Sequence, residues 1–203
     1  VRSQDSYSLI DSYTFLCYHA KIRRVPTAAT YEYSVNYNKD ILGELTNFNS
    51  YETQLKAAIE EFIIITKDFV TLNELFSFVL NIKDEISDFS SSLRISVLLR
   101  LLNMERIGPL LIDDQIDEIY LDSSQSYLYL DHAKYGRCST QIRLNRQEID
   151  SFTNRVSLEN DFNLNRENPT MKGEFVTKLF HTRITIDIPP LLVDDIHLDI
   201  RKF

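Results

Sequence analysis

The stretch 116–144, IDEIYLDSSQSYLYLDHAKYGRCSTQIRL, alternates apolar and polar residues and is interrupted by Lys134-Tyr135-Gly136. Such alternation is typical of β-strands with one buried face, and a glycine suits the tight turn of a hairpin. The stretch therefore predicts three successive antiparallel strands, over Ile116–Leu121, 127–133 and 137–144.

The residues after these strands predict a helix and a return to β structure. Asn145 and Glu148 have the spacing of a capping box, and the inward residues of the helix would be Ile149, Phe152 and Val156. Strands are expected over 175–188 and 197–203, on either side of Pro189-Pro190. A βββ-α-ββ order predicts an antiparallel sheet with a helix on one face, an α+β domain of the PAS type.

The preceding region, from about 50 to 106, has the period of amphipathic helices. In the first helix, the residues predicted on one face are Tyr51, Leu55, Ala58, Ile59, Phe62 and Ile63. Thr71 and Glu74 form a capping box for the second, whose apolar stripe is Leu72, Leu75, Phe76, Val79, Ile82 and Ile86. The third runs from about Ser91 to Gly108-Pro109, with Ile95, Leu98, Leu99 and Leu102 inward. These helices predict a three-helix bundle.

The first forty or so residues are rich in Tyr, Thr and Ser, and the runs 14–25 and 30–37 predict a loose β-hairpin. The predicted fold class is therefore α+β: an N-terminal β-hairpin plus a three-helix bundle, followed by a PAS-like antiparallel sheet domain. We expect the two regions to divide at residue 107, into 1–107 and 108–203.

Composition excludes several functions. The 203 residues have a net charge of −8, which argues against binding to nucleic acid. Apolar runs such as 62–65 are too short to cross a bilayer, and no signal peptide is expected. Cys17 and Cys138 lack metal-site spacing and are predicted to be free thiols rather than a disulfide.

The sequence carries no complete catalytic site. With only four glycines, it contains neither GxxxxGK[ST] nor GxGxxG, so no nucleotide cradle is expected and the chain should not hydrolyse ATP alone. The densest group of acids is Asp113, Asp114, Asp117, Glu118 and Asp122. Alternation places Asp117 and Glu118 on opposite faces of a strand, so we expect solvated acids around an edge strand rather than a metal site.

Arg183 and Arg201 are the remaining candidates for binding chemistry. In the strand 179–188, Arg183 shares a face with Thr185 and Asp187, opposite the isoleucines, and in 197–203 Arg201 shares a face with His197 and Asp199. A guanidinium on a rigid strand can clamp phosphate with two parallel hydrogen bonds. Equally, each arginine can pair with a carboxylate on the same face.

The second region resembles a known family, the secretion traffic ATPases. The similarity lies in GPLLIDDQIDEIYLD (108–122), YLYLDHAKYGRC (127–138), Asn168-Pro169, TRITIDIPP (182–190) and IRKF (200–203), in that order. These proteins are the hexameric motors of type II and type IV secretion, pili and archaella, and the similarity is greatest to the archaeal branch. Gly108 stands where the family usually has Asp, and His181-Thr182 stands where Asp-Gly commonly precedes the arginine.

The resemblance implies a role in a larger motor. In the family, a helical region and a PAS-like domain precede the motor domain, whose phosphate-binding loop follows some tens of residues after IRKF. Nucleotide lies between these domains, and two strand arginines reach its phosphates. By motif these are Arg183 and Arg201, with Arg137 and Lys202 as lesser candidates; ATP with Mg²⁺ is expected only in the full-length protein.

The sequence therefore predicts an N-terminal regulatory and coupling region of a hexameric secretion or pilus-assembly ATPase. Its expected partners are its own C-terminal motor domain, other copies in a homo-hexamer and a membrane platform protein, with no nucleic acid. The resemblance implies a cytoplasmic location at the inner face of the membrane. The alternative is a free-standing PAS-like sensor or adaptor.

Overall fold

The computed structural model describes residues 8–26, 30–38, 48–82, 90–190 and 195–203, and over these residues the chain has a mixed α+β fold. This confirms the predicted fold class. The strands are β1 (Ser8–Phe15), β2 (Tyr18–Arg24), β3 (Tyr31–Tyr37), β4 (Ile116–Leu121), β5 (Tyr129–His132), β6 (Gly136–Ser139), β7 (Thr170–Val176), β8 (His181–Asp187) and β9 (His197–Lys202). The helices are α1 (Phe48–Thr66), α2 (Leu72–Asn81), α3 (Ser91–Leu101), α4 (Gly108–Ile112) and α5 (Arg146–Glu159).

The strands form one sheet in the order β1-β2-β3-β6-β5-β4-β9-β8-β7. Neighbouring strands are antiparallel except β3 and β6, which pair in parallel where Tyr31 lies beside Cys138. The sheet and its hydrophobic core both continue across residue 107. The division into 1–107 and 108–203 stays a prediction.

The N-terminal β structure has three strands rather than the two of the predicted hairpin. The run 14–25 is broken by a turn at Leu16, whose φ of 47° lies in the left-handed region. Phe15 consequently pairs with Tyr18, and β1 folds back along β2. The prediction missed this turn because Leu16 is not a residue that favours positive φ.

The third helix ends earlier than predicted. The helix α3 stops at Leu101, and Gly108-Pro109 begins the short helix α4 instead of ending α3. Proline suits a first helical turn because its missing N–H has no partner there in any case. A Cβ on Gly108 would lie 2.6 Å from a methyl carbon of Leu99, so glycine allows α4 to pack against α3.

The predicted strand 175–188 is two strands joined by a turn. Thr177 makes this turn, since its Oγ1 accepts hydrogen bonds from the N–H groups of Leu179 (3.1 Å) and Phe180 (3.0 Å). The chain therefore reverses between β7 and β8, and three strands rather than two follow α5. Threonine hydroxyls stabilise turns in this way even within an apolar run.

Most predicted helix faces are confirmed. Both capping boxes are present, at Thr71 and Asn145, and α5 buries its predicted residues against β7, where Phe152 meets Phe175 edge to face at 5.8 Å. Ile63 is an exception: it is 43% exposed, because it lies beyond the face that Tyr51, Leu55 and Ile59 bury. Ile86, which the sequence predicts to face the core, lies outside the described residues.

A buried polar network joins the N-terminal strands to the later ones. Asp113, which is 1% exposed, accepts hydrogen bonds at Oδ2 from the hydroxyls of Tyr13 (2.8 Å) and Tyr33 (2.7 Å). His132 lies 3.2 Å from the Tyr13 hydroxyl through Nε2, and its Nδ1 accepts the N–H of Lys134. The neutral ring therefore carries its proton on Nε2 and donates to Tyr13.

Two further sequence predictions concern cysteines and membrane spans. Cys17 and Cys138 are buried free thiols, as predicted, and burial raises the pKa of each to about 11. Among the described helices, none combines the length and apolar character needed to cross a bilayer.

Candidate functional site

One row of charged residues crosses six strands on the polar face of the sheet. The cross-strand partners, in order from β6 to β7, are Arg137, Asp131, Glu118, Arg201, Arg183 and Glu174. We call this set the charged row. The adjacent row of cross-strand partners lies on the opposite, buried face of the sheet. Its members are apolar: Cys138, Leu130, Ile119, Ile200, Ile184 and Gly173. The two-residue period of the strands thus builds a core on one side and a charged surface on the other.

Arg183 and Arg201 lie opposite each other on β8 and β9. Both side chains are mainly exposed, 60% for Arg183 and 68% for Arg201. The predicted alternation is confirmed, because Ile184, Ile186 and Ile200 lie on the buried face. The fold therefore brings the two predicted arginines together on the solvent side.

A carboxylate and an aromatic ring hold Arg183. Its Nε and one Nη donate to the same oxygen of Glu174, at 3.3 and 3.2 Å. The guanidinium also lies over the ring of Phe203, 5.3 Å from its centre. Exposed cation–π and ion-pair contacts of this kind contribute modestly, so Arg183 keeps N–H groups that can bind an anion.

The position of Glu174 is fixed by α5. Asn160, which follows the helix, accepts a hydrogen bond from the Glu174 N–H (2.9 Å) and donates one to its carbonyl oxygen (3.1 Å). A Cβ on Gly173 would lie 2.8 Å from Asn160, so this contact needs glycine at the preceding position. The end of α5 and β7 are therefore held together directly beside Arg183.

Arg201 is held more loosely. Its Nε lies 3.5 Å from one oxygen of Glu118, and Glu118 also accepts a hydrogen bond from the hydroxyl of Tyr120. A single long contact at an exposed position costs little to break. Arg201 is thus the more available of the two central cations.

Hydrogen bonding and burial shift the pKa values of the carboxylates around the arginines. Hydrogen bonds from Arg183 and then from His181 lower the pKa of Glu174. Burial, together with the nearby charge of Glu118, raises the pKa of Asp199. The ionised form of Glu174 is thus favoured, and this carboxylate competes with any anion for Arg183.

Arg137 is committed to other contacts. Its guanidinium donates to both oxygens of Asp131 and lies over the stacked rings of Tyr120 and Tyr129, 4.7 and 4.9 Å from their centres. The hydrogen bond from Arg137 lowers the pKa of Asp131. Three strands separate Arg137 from Arg183, so the structure does not bring it to the central pair.

Lys202 lies on the opposite face of β9 from Arg201. Its Nζ donates to the backbone carbonyl oxygens of Leu110 and Asp113, and burial lowers its pKa to about 8. Alternation along the strand predicts this orientation. Lys202 therefore links β9 to α4 and is not part of the charged row.

Sequence reasoning missed the residues that surround the arginines. Glu174 could not be placed because β7 was not predicted as a separate strand. Phe203 was missed as a partner of Arg183, and it lies directly after the end of β9. Glu118 was recognised as an acid, but only strand pairing shows that it faces Arg201. The sequence signal available for Glu118 was the alternation of apolar and polar residues along its strand.

The acidic cluster of the sequence is dispersed by the fold. Asp113 is buried in the tyrosine network, whereas Asp114, Asp117 and Asp122 are exposed. The strand β4, which contains Asp117, lies between β5 and β9, so the prediction of an edge strand is wrong. Within the described ranges, no group of three or more His, Cys, Asp or Glu residues is arranged to hold a metal ion.

The chain was compared with solved structures, family profiles and curated sequences. The chain resembles the VirB11 ATPase from the Brucella suis type IV secretion system, a structure determined in complex with sulphate, with a TM-score of 0.42 and 19% identity. The similarity covers 51% of this chain and 31% of that one, so the chain matches less than a third of that ATPase. No protein-family profile and no curated protein sequence matches the chain.

Proposed function

We propose that this chain is the N-terminal regulatory and coupling region of a hexameric secretion or pilus-assembly ATPase. Arg183 and Arg201 bind the phosphates of a nucleotide held by the motor domain of the same protein. ATP with Mg²⁺ is bound by the full-length protein, and hydrolysis depends on that motor domain. The region works at the cytoplasmic side of a membrane platform protein.

The observation that carries this proposal is the exposed, cross-strand pairing of Arg183 with Arg201. Guanidinium groups on adjacent rigid strands can each donate N–H groups to one anion that lies between them. The ordered motifs from 108 to 203 supply the second support, since both arginines fall in them. When a phosphate leaves on hydrolysis, charge-assisted bonds to it are lost and the orientation of the two domains changes.

The proposed docking of a platform protein uses the end of α1. Ile63, Ile64 and Ile65 follow one another there, with exposures of 43%, 72% and 69%, and Phe69 is 47% exposed. A shallow groove beside them, between α1 and α2, is lined by Phe62 and Phe78. Contiguous exposed apolar side chains are typical of protein–protein interfaces.

ATPase activity of the full-length protein tests the arginine role. We expect Arg183→Ala or Arg201→Ala to lower kcat at least about tenfold, because each removes a charge-assisted bond to phosphate. Arg146→Ala is the matched control, since Arg146 is an exposed arginine paired with Asp150 away from the row. Activity within twofold of wild type in both row variants, with unchanged thermal unfolding, would remove the assigned role.

A pull-down with the platform protein tests the docking surface. Ile64→Lys and Ile65→Lys should abolish retention of the platform protein. Leu158→Lys should leave it intact, because Leu158 is 61% exposed on a different helix. Equal retention by all three variants would show that the end of α1 is not the interface.

A further inference from the structure

His181 lies two residues before Arg183 on the same face of β8 and shares its binding partners. One oxygen of Glu174, Oε1, accepts both hydrogen bonds from Arg183, and the other, Oε2, lies 3.4 Å from Nε2 of His181. The rings of His181 and Phe203 are in contact, with centres 5.0 Å apart, and the Arg183 guanidinium lies over the same Phe203 ring. Neither the motif resemblance nor the proposed function gives His181 a role.

Backbone contacts hold this group of side chains together. Glu174 is the cross-strand partner of Arg183, and Asn160 bonds to both of its backbone groups. The N–H of Phe203 donates to the carbonyl oxygen of His181 at 3.1 Å, which keeps the aromatic residue beside β8. A change in the charge of His181 therefore acts on the side chains of Glu174 and Arg183 rather than on the positions of the strands.

The contact between His181 and Glu174 depends on the charge of the imidazole. An ionised carboxylate only accepts hydrogen bonds, so a neutral His181 must carry its proton on Nε2 to bond Oε2 of Glu174. Histidine is the side chain whose charge ordinarily changes between pH 5 and pH 8. Both side chains are partly exposed, 44% for His181 and 42% for Glu174, so water can deliver the second proton. Protonation makes the bond charge-assisted and draws the carboxylate toward His181.

The charges around the central pair are balanced while His181 is neutral. Arg183 and Arg201 are positive, and their flanking partners Glu174 and Glu118 are negative. Protonation of His181 gives this group a net positive charge. It also places a second cation on Glu174, so that Arg183 no longer has that carboxylate to itself. Both changes favour an anion at Arg183, because they add positive charge and weaken the competing ion pair.

We infer that His181 is a positioning residue of the anion site: its protonated ring binds Glu174 and so releases Arg183 to bind an anion. The inference rests on the anion-binding role proposed for Arg183 and Arg201, and it adds control of that role by a proton. The chain consequently binds anions more tightly in mildly acidic solution than at neutral pH. Because exposed ion pairs contribute modestly, the change in affinity is a few fold rather than orders of magnitude.

The test measures the affinity of the intact chain for sulfate at about pH 7.5 and about pH 5.5, by NMR titration at constant ionic strength. Sulfate is the probe because its charge, unlike that of a phosphate group, stays the same over this range. We expect wild type to bind sulfate at least about threefold more tightly at the lower pH. His181→Gln can still donate to Glu174 but does not titrate, so its two affinities should be nearly equal. Glu174→Gln should also lose most of the difference, because His181 acts through this carboxylate.

His197→Gln is the matched control. His197 is a partly exposed histidine on the same face of the sheet, but its ring lies 3.7 Å from Asp187 and not beside Glu174. This variant should keep the wild-type difference between the two pH values. Asp199, whose pKa is raised by burial, is present in every variant, so its own titration cancels in the comparison. Circular dichroism at both pH values shows that each protein is folded.

The outcomes separate this inference from the proposed function. The inference alone is overturned if Arg183→Ala weakens sulfate binding but the wild-type affinity is the same at both pH values. It is also overturned if His181→Gln keeps the wild-type difference. No sulfate binding at either pH, or binding that Arg183→Ala leaves unchanged, overturns the anion-binding role of Arg183 and this inference with it.

Discussion

Arg183 faces Arg201 across β8 and β9, with Glu174 on the outer side of Arg183 and Glu118 on the outer side of Arg201. Like charges placed directly opposite each other destabilise a sheet, and the flanking carboxylates offset this repulsion. An anion that binds between the arginines must compete with the same carboxylates. Glu174 and Glu118 therefore set how readily the central pair accepts an anion.

The first prediction concerns this competition. Glu174→Gln should raise the affinity of the chain for inorganic tripolyphosphate about threefold or more, because the amide holds Arg183 less strongly than a carboxylate does. Isothermal titration calorimetry at low ionic strength measures the effect. Glu167→Gln is the control for a general loss of negative charge, since Glu167 is exposed outside the charged row. An equal gain in both variants would contradict a specific competition at Arg183.

Part of this site could be predicted from the sequence, because strand alternation is local. The two-residue period alone placed Arg183 and Arg201 on the solvent faces of their strands and Lys202 on the other. Their adjacency depends on the pairing of β8 with β9, which the period does not contain. Only the motif resemblance led us to expect that Arg183 and Arg201 lie close together.

The features that the sequence did not predict depend on turns or on contacts between distant segments. Thr177 divides one apolar run into β7 and β8 and so brings Glu174 opposite Arg183. The parallel contact of β3 with β6 and the bonds from Tyr13 and Tyr33 to Asp113 join segments far apart in the chain. Local propensity contains no information about such partners.

The second prediction concerns the buried network. Tyr33→Phe should lower the free energy of unfolding by about 1–3 kcal/mol, because Asp113 is buried and loses a hydrogen-bond donor. Urea denaturation followed by circular dichroism measures the change. Tyr129→Phe is the matched control: its hydroxyl donates to exposed Asp122 at 2.8 Å, so its removal should cost little. Equal losses in the two variants would show that the network adds no stability beyond an ordinary surface bond.

The third prediction concerns the junction of α5 with β7. Gly173→Ala should lower the free energy of unfolding by about 1–3 kcal/mol, because the new methyl group collides with Asn160. Asn160 has little freedom to move, since it holds both backbone groups of Glu174. The collision is specific if the double variant with Asn160→Ala shows less than the sum of the two single losses. Strict additivity would place the strain elsewhere.

The fourth prediction is a pH dependence that arises from His132. Burial lowers the pKa of this imidazole from its usual value near 6.5, and the opposing charges of Asp113, Asp11 and Asp117 only partly compensate. The folded state thus favours the neutral ring, whose contribution to stability is complete above about pH 6.5 and is lost as pH falls toward the lowered pKa.

His132→Gln removes this titration while keeping a polar side chain in the network. We expect the wild-type free energy of unfolding to fall more steeply between pH 7 and pH 5 than that of the variant, because the unfolded wild type binds the extra proton. Other titrating groups are common to both proteins, so the difference between their two curves isolates His132. The pKa of Asp11, about 2, places its own effect at lower pH. Parallel curves across this range would show that protonation of His132 is not coupled to folding.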